Sequence, residues 1–235
     1  MVATQKQSAS KPGDQIARAL DETCDDAEFF GPDGPCPLLH EPGNPRLVLI
    51  TGENASGKSF FGKVLRAYPP HDGDRKNEIE WMGLSMSKRT ESGAIRAFMF
   101  GDEGRDSTGN ISLRTIQSGF STCRSRETIH ILQLDEPDIG LSESYAAGLG
   151  DYIAQFAADM PDLTEALIVV THSRHIARRL LPLNPTCIRI GDLRPTAEWL
   201  VSDVIPKTIE DVLALKETAH QRTRAIQSIL NGRKN

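Results

Sequence analysis

Gly52-Glu53-Asn54-Ala55-Ser56-Gly57-Lys58-Ser59 is a complete match to G-x-x-x-x-G-K-[ST], and its flanks decide how it is read. Upstream runs Leu47-Val48-Leu49-Ile50, four apolar residues of the kind that make a buried strand. Downstream, residues 58–67 carry helical periodicity. Strand, glycine-containing turn and helix, in that order, predict a loop whose backbone amides curl around a β-phosphate with the helix dipole behind them. In such a loop Lys58 reaches the β- and γ-phosphates and the Ser59 hydroxyl ligates Mg²⁺. Gly52, Glu53, Asn54, Ala55, Ser56, Gly57, Lys58 and Ser59, with Phe60 directly after, are therefore the candidate nucleotide-binding residues. A chance match in a glycine-rich loop is the alternative, and the flanking strand and helix speak against it.

Further along, Ile129-His130-Ile131-Leu132-Gln133-Leu134 reads as a buried strand that ends in two carboxylates, Asp135 and Glu136. An Asp at that position holds Mg²⁺ directly or through water. Glu136, one residue on, is a candidate general base for an attacking water. An exposed acidic turn closed by Pro137 is the plainer reading of these residues taken alone. A second apolar strand, Ala166 to Val170, runs into Thr171-His172. His172 is a candidate sensor of the γ-phosphate; standing alone it would be a surface histidine at a strand–helix junction. The spacing His172-x-x-His175 lacks a third ligand, so a metal pair is not expected there.

Around these motifs the chain alternates between strand and helix patterns. Helices are expected over 111–120, 142–158 and 173–181, and strands over 94–100, 129–134, 166–170 and 187–190. Such alternation implies an α/β fold with a largely parallel sheet flanked by helices. Residues 1–45 read as a partly irregular lead-in with one amphipathic helix between Asp14 and Phe30, and 31–45 are too rich in Gly and Pro for regular structure. Residues 69–93 read as irregular and charged. The expected domain spans 46–206, and 207–235 form a C-terminal helix opened by a capping pair, Thr208 and Asp211. No internal repeat is evident.

Composition sets outer bounds. In 235 residues, 38% are apolar and 25% charged, which is ordinary for a globular chain with a real core. The net charge of −5 disfavours nucleic acid or anionic lipid as a direct partner unless a local basic patch supplies the contact. No apolar run is long enough to cross a bilayer, and the N-terminus lacks the apolar region of a secretory signal. Four scattered cysteines without C-x-x-C spacing argue against a zinc knuckle or disulfide framework, and a reducing cytoplasm is the expected location.

Taken together, GENASGKS, LQLDEPDIGLS and VVTHS resemble the ATP-binding cassette (ABC) ATPase family, in its soluble, non-transporter branch, which includes compact SMC-like and phage-defence ATPases. The resemblance covers about residues 46–191. It implies a P-loop NTPase fold with ATP and Mg²⁺ as ligands and His172 as switch histidine. It also makes Asp138-Ile139-Gly140-Leu141-Ser142 the D-loop at a dimer seam, although Ser142 stands where the family usually has Asp. The family signature that opens a helix ahead of the acidic strand has a counterpart in Asp106-Ser107-Thr108-Gly109-Asn110, which keeps the Ser and the second Gly. Ser107 and Gly109 would then bind the γ-phosphate held by the opposite subunit. As plain sequence, Ser107, Thr108 and Asn110 are equally good helix caps.

The departures from the family are specific. No Gln lies between Ser59 and Ile116, so the Q-loop glutamine is missing or replaced, with Ser85 or Ser87 in Trp81–Ser87 as substitutes. Gly52 and Asp135 stand 83 positions apart, which implies a reduced helical subdomain and leaves no room for a coiled-coil arm. Phe29 and Phe30 are available as an adenine-stacking aromatic, but fit core positions better. The mixed charges from Lys88 to Asp106, including Arg89, Arg96 and Arg105, and the basic tail residues Lys216, Arg222, Arg224, Arg233 and Lys234 read first as solvated faces. A phosphate contact for the former and a partner or nucleic-acid contact for the latter stay open.

The expected activity is Mg-ATP hydrolysis, with nucleotide-driven homo- or heterodimerisation acting on a protein partner; nucleic acid stays open as an indirect partner, reached through that protein. A P-loop kinase acting on a small acceptor and a non-hydrolysing ATP-dependent regulatory module are the competing readings.

Overall fold

The computed structural model describes residues 11–67, 79–85 and 107–233. The elements are α1 (Asp14–Cys24), α2 (Ala27–Phe30), β1 (Leu38–Glu41), β2 (Asn44–Gly52), α3 (Lys58–Ala67) and β3 (Glu80–Ser85). There follow α4 (Thr108–Ser125), β4 (His130–Asp135), α5 (Glu143–Ala158), β5 (Thr164–Thr171), α6 (Arg174–Leu180), β6 (Pro185–Ile190), α7 (Thr196–Val201) and α8 (Ile209–Gly232). One six-stranded sheet runs in the order β1-β6-β2-β5-β4-β3. Every neighbouring pair is parallel except β1 with β6. The fold is thus α/β with a mostly parallel sheet covered on both faces, compatible with a phosphate-loop architecture.

Alternation along the central strands divides the core in two. Leu47, Leu49, Leu132, Leu134, Leu167 and Val169 face one layer, built from Ile116 and Phe120 of α4, Ile153 and Phe156 of α5 and Ile176 of α6. Val48, Ile50, Ile131, Ile168, Val170 and Ile188 face the other, built from Ile16 and Leu20 of α1, Phe29 and Phe30 of α2 and Phe61 and Leu65 of α3. Because both faces are covered, these strands read as unbroken apolar runs.

The lead-in does not stand apart from this core. Ile16, Leu20, Phe29 and Phe30 are each at most 2% exposed. Gly13 begins α1 without a side-chain cap of its own; Glu165 of β5 supplies one, accepting from the amides of Gln15 (2.9 Å) and Ile16 (3.1 Å). The expectation that 31–45 is irregular is corrected by β1 and by the start of β2 at Asn44. Proline is tolerated there because Pro37 stands outside β1, an edge strand, while at Pro45 the β2–β6 register shifts between Asn44 and Val48. Irregular structure over 69–93 is likewise corrected, since Glu80–Ser85 forms the opposite edge strand. Gly83 leaves room for Arg66, which lies 4.8 Å over the Trp81 ring and donates to Gln133 Oε1 at 3.1 Å. The expected strand over 94–100 and the charged run 88–106 lie outside the described residues. Among the described residues, no helix is long and apolar enough to cross a membrane.

Candidate nucleotide site at the strand ends

Parallel strands bring their carboxyl ends to one edge of the sheet, and three of those ends are neighbours here. The order β2-β5-β4 sets the Gly52–Ser59 loop beside His172 and then beside Asp135 and Glu136. Crevices outside such strand ends are where open α/β sheets bind ligands.

The loop is shaped by close packing. A Cβ on Gly52 would collide with Ile190 O and lie 2.6 Å from Ser56 Oγ; one on Gly57, at φ 110°, would collide with Cys36 Sγ. Ala55 takes the left-handed conformation at φ 58°. Lys58 opens α3 with only 8% exposure, and its Nζ donates to Gly52 O and Glu53 O, both at 2.9 Å. The same Nζ is 3.0 Å from His172 Nε2, which is 2.9 Å from Glu136 Oε1. Burial pulls the Lys58 ammonium down to about 8, against the opposing pull of Glu136, Asp135 and Glu53.

Glu136 holds an unusual backbone. At φ 51° it is a non-glycine residue in left-handed space, pinned by its amide to Val170 O at 2.8 Å. Strain of that kind is concentrated at functional sites. The hydrogen bond with His172 is the main influence holding its carboxyl below the ordinary range. Asp135 is shifted the other way by burial and by the neighbouring Glu136 charge, although Ser85 donates to its Oδ2 at 3.2 Å. Hard oxygen donors from Ser59, Ser85 and Asp135 suit Mg²⁺, which keeps waters and substrate phosphates as its remaining ligands. Among the described residues, no group of three or more His, Cys, Asp or Glu is arranged to hold a metal.

Two cavities flank the loop. One, of about 380 Å³, is lined by Asn54 to Phe60 together with Asp135, Glu136 and residues of α8. The other, of about 580 Å³, includes Gly52, Glu53, His172, His175 and Arg189. His175 therefore opens onto a different space from Glu136. Arg189 is the largest fully buried side chain, donating to Thr51 Oγ1 at 3.1 Å and Asp192 Oδ2 at 2.5 Å and lying 4.6 Å from the Trp199 ring. It braces the strand that feeds the loop. Its presence inside an apolar strand, Cys-Ile-Arg-Ile, was the signal in the sequence.

Ser107 and Gly109 lie elsewhere. Ser107 caps α4, accepting from Asn110 N at 3.4 Å, so the cap reading holds as geometry. With Gly140, Leu141, Ser142 and Tyr145 these residues line a third cavity of about 540 Å³ and do not line the loop cavity. Gly140 and Gly109 let the two segments touch: a Cβ on Gly109 would be 2.6 Å from Leu141 Cδ2, and one on Gly140 would collide with Thr108 Cγ2. Asp138 is tied back to the sheet by Thr171 Oγ1 at 3.2 Å. Phe29 and Phe30 are sealed in the core, so neither is available to stack on a base. Of the basic tail residues, Arg233 is exposed yet paired, and Arg222 is half-buried. Arg233 pairs with Asp26 and Glu28, and Arg222 enters the loop cavity; Arg224 stays exposed beside Glu217.

No protein-family model matches this chain, and no curated protein matches it either.

Proposed function

We propose that this protein is an ATPase of the ABC type, in the soluble branch, that binds Mg-ATP at the Gly52–Ser59 loop and hydrolyses it within a closed dimer acting on a protein partner. The observation that carries the reading is the cluster of Lys58, His172 and Glu136 at three adjacent strand ends, with His172 Nε2 3.0 Å from Lys58 Nζ and 2.9 Å from Glu136 Oε1, next to the Asp135–Ser85 pair. Three motifs far apart in sequence, each compatible with a bland explanation alone, meet within hydrogen-bonding distance.

In this reading Lys58 and the loop hold the β- and γ-phosphates, and Ser59, Asp135 and Ser85 hold Mg²⁺. The ion would neutralise charge developing on the phosphate oxygens. Glu136 accepts the proton of the attacking water as its oxygen bonds to the γ-phosphorus and the bond to ADP breaks. His172 orients Glu136 through its 2.9 Å contact. Ser107 and Gly109, facing a separate cavity, would serve the nucleotide of a second subunit.

Isothermal calorimetry with ATP and Mg²⁺ tests the assignment. Lys58→Ala removes the loop's fixed cation and should weaken binding by about 10- to 100-fold, the worth of charge-assisted hydrogen bonds. Unchanged affinity would sink the loop assignment. ADP release by the parent protein without any acceptor separates hydrolysis from kinase chemistry.

A further inference from the structure

Helix α8 is 24 residues long, yet nearly all of it is exposed. The exceptions are Ala219, Arg222, Ile226 and Ile229, whose spacing of three, four and three makes one stripe along the helix. Ile226 and Ile229 pack on the core layer that contains Phe29 and Phe61. Arg233, just past the helix, fixes its end: Nη2 is 2.6 Å from both Asp26 Oδ1 and Glu28 Oε2, and the guanidinium lies 4.5 Å from the Phe29 ring. The half of α8 nearest Arg233 is therefore held against the body of the protein.

That anchorage carries the stripe across the loop. The 380 Å³ cavity has the Asn54–Phe60 segment, Asp135 and Glu136 on one side. On the other side it has Ala219, Arg222, Thr223 and Ile226. Arg222 Cδ lies 3.7 Å from the point that a Cβ on Gly57 would occupy. Its Nε donates to Pro35 O at 2.7 Å, which holds the side chain in place. Its two Nη groups have no hydrogen-bond partner among the described residues. A fixed, permanently charged fork with free donors thus stands over the loop glycine, a geometry suited to phosphate oxygens. Beside it, Ala219, Thr223 and Ile226 give a largely apolar surface, and the aromatics upstream of the loop are buried out of reach.

Resting on the phosphate-loop reading above, we propose that α8 is the outer wall of the nucleotide site. Arg222 binds the phosphates held by the loop, and Ala219, Thr223 and Ile226 receive the nucleoside.

The test is calorimetry on the full chain with ATP and, separately, inorganic tripolyphosphate, which has the phosphates but no nucleoside. Arg222→Ala should weaken both by about 10- to 100-fold, and Arg222→Lys should recover part of that loss. Ile226→Ala should weaken ATP more than tripolyphosphate, by roughly 3- to 10-fold in the ratio of the two. A loosened helix would change both ligands equally, so the ratio separates a base-contacting wall from general destabilisation. Parent-like affinities in the Arg222 and Ile226 variants overturn this proposal alone. Tighter binding in Arg222→Ala overturns it too, and makes α8 an inhibitory cover. A parent chain that binds neither ATP nor tripolyphosphate overturns the phosphate-loop reading, and this proposal falls with it.

Discussion

Lys58 is a buried cation held in place by two loop carbonyls, with its ammonium pulled down to about 8 by burial. A lysine in that condition carries its charge below pH 8 and loses it above. Phosphate binding restores the proton, so affinity falls as pH rises from 7 to 9.5, by at most about tenfold per unit above the lysine's own value. Titrations of tripolyphosphate across that range check the slope, and Lys58→Arg, permanently protonated, should flatten it. Glu136 carries a second expectation at this scale. Glu136→Gln keeps the shape and the bond to His172 but removes the base, so turnover should fall by about 10²- to 10⁴-fold while ATP affinity is retained. Rapid-mixing hydrolysis assays on the variant read this directly. Lys58, Asp135, Glu136 and His172 were legible in the sequence because each ends a strand or begins a helix within a recognisable motif. Arg222 was not, since a lone arginine in a polar helix looks solvated until the fold lays that helix over the loop. Ser85 was half legible: its position suggested a replacement ligand, and only the β3–β4 register, Ser85 opposite Asp135, aligns the two.

Between residue and molecule, the contact of α4 with the 138–142 loop is closely packed. Gly140 stands at φ 84° with Thr108 against it, so Gly140→Ala meets both backbone strain and a collision. A loss of about 1–3 kcal/mol is expected, read from the urea midpoint at constant slope. Ser107→Arg asks a different question of the same junction. Because Ser107 does not line the loop cavity, ATP affinity of the single chain should be unchanged, while hydrolysis should fall by about 10²-fold or more if Ser107 acts on a second subunit's nucleotide. Normal turnover would leave Ser107 as a cap and nothing else. Most elements were readable from periodicity, notably α3 at Lys58–Ala67 and the capping box of α8 at Thr208 and Asp211. Strands β1 and β3 were not. Both are edges, short or interrupted by Gly83, and flanked by Pro or charge, so the local signals resemble those of loops. In the lead-in the amphipathic helix was readable and stands as α1, but its docking on the sheet was not: its cap comes from Glu165, and a partner that distant leaves no local trace.

As a whole molecule the chain keeps the strand-end residues and the Ser107–Gly109 segment in separate cavities, which the proposed reading takes as the two halves of a shared site. Two copies arranged head to tail would bring one set to the other. Light scattering of Glu136→Gln should therefore give a mass near twice 25.8 kDa with ATP and Mg²⁺ and a smaller mass with ADP. A variant that stays monomeric with ATP, alone and with any protein that co-purifies, would refute the closed dimer. The strand order has another consequence, for how quickly the molecule comes to exist at all. The strand that feeds the loop finds its neighbours far along the chain: Leu47 pairs with Leu167 and Ile50 with Ile188. Closing such long stretches of chain costs entropy before any pairing compensates for it, which slows folding. The loop cannot take its shape until β5 and β6 have arrived on either side of it. Refolding followed by fluorescent-nucleotide capture should accordingly lag behind refolding followed by helix content. The sequence elements made early would wait, during synthesis, for those made late.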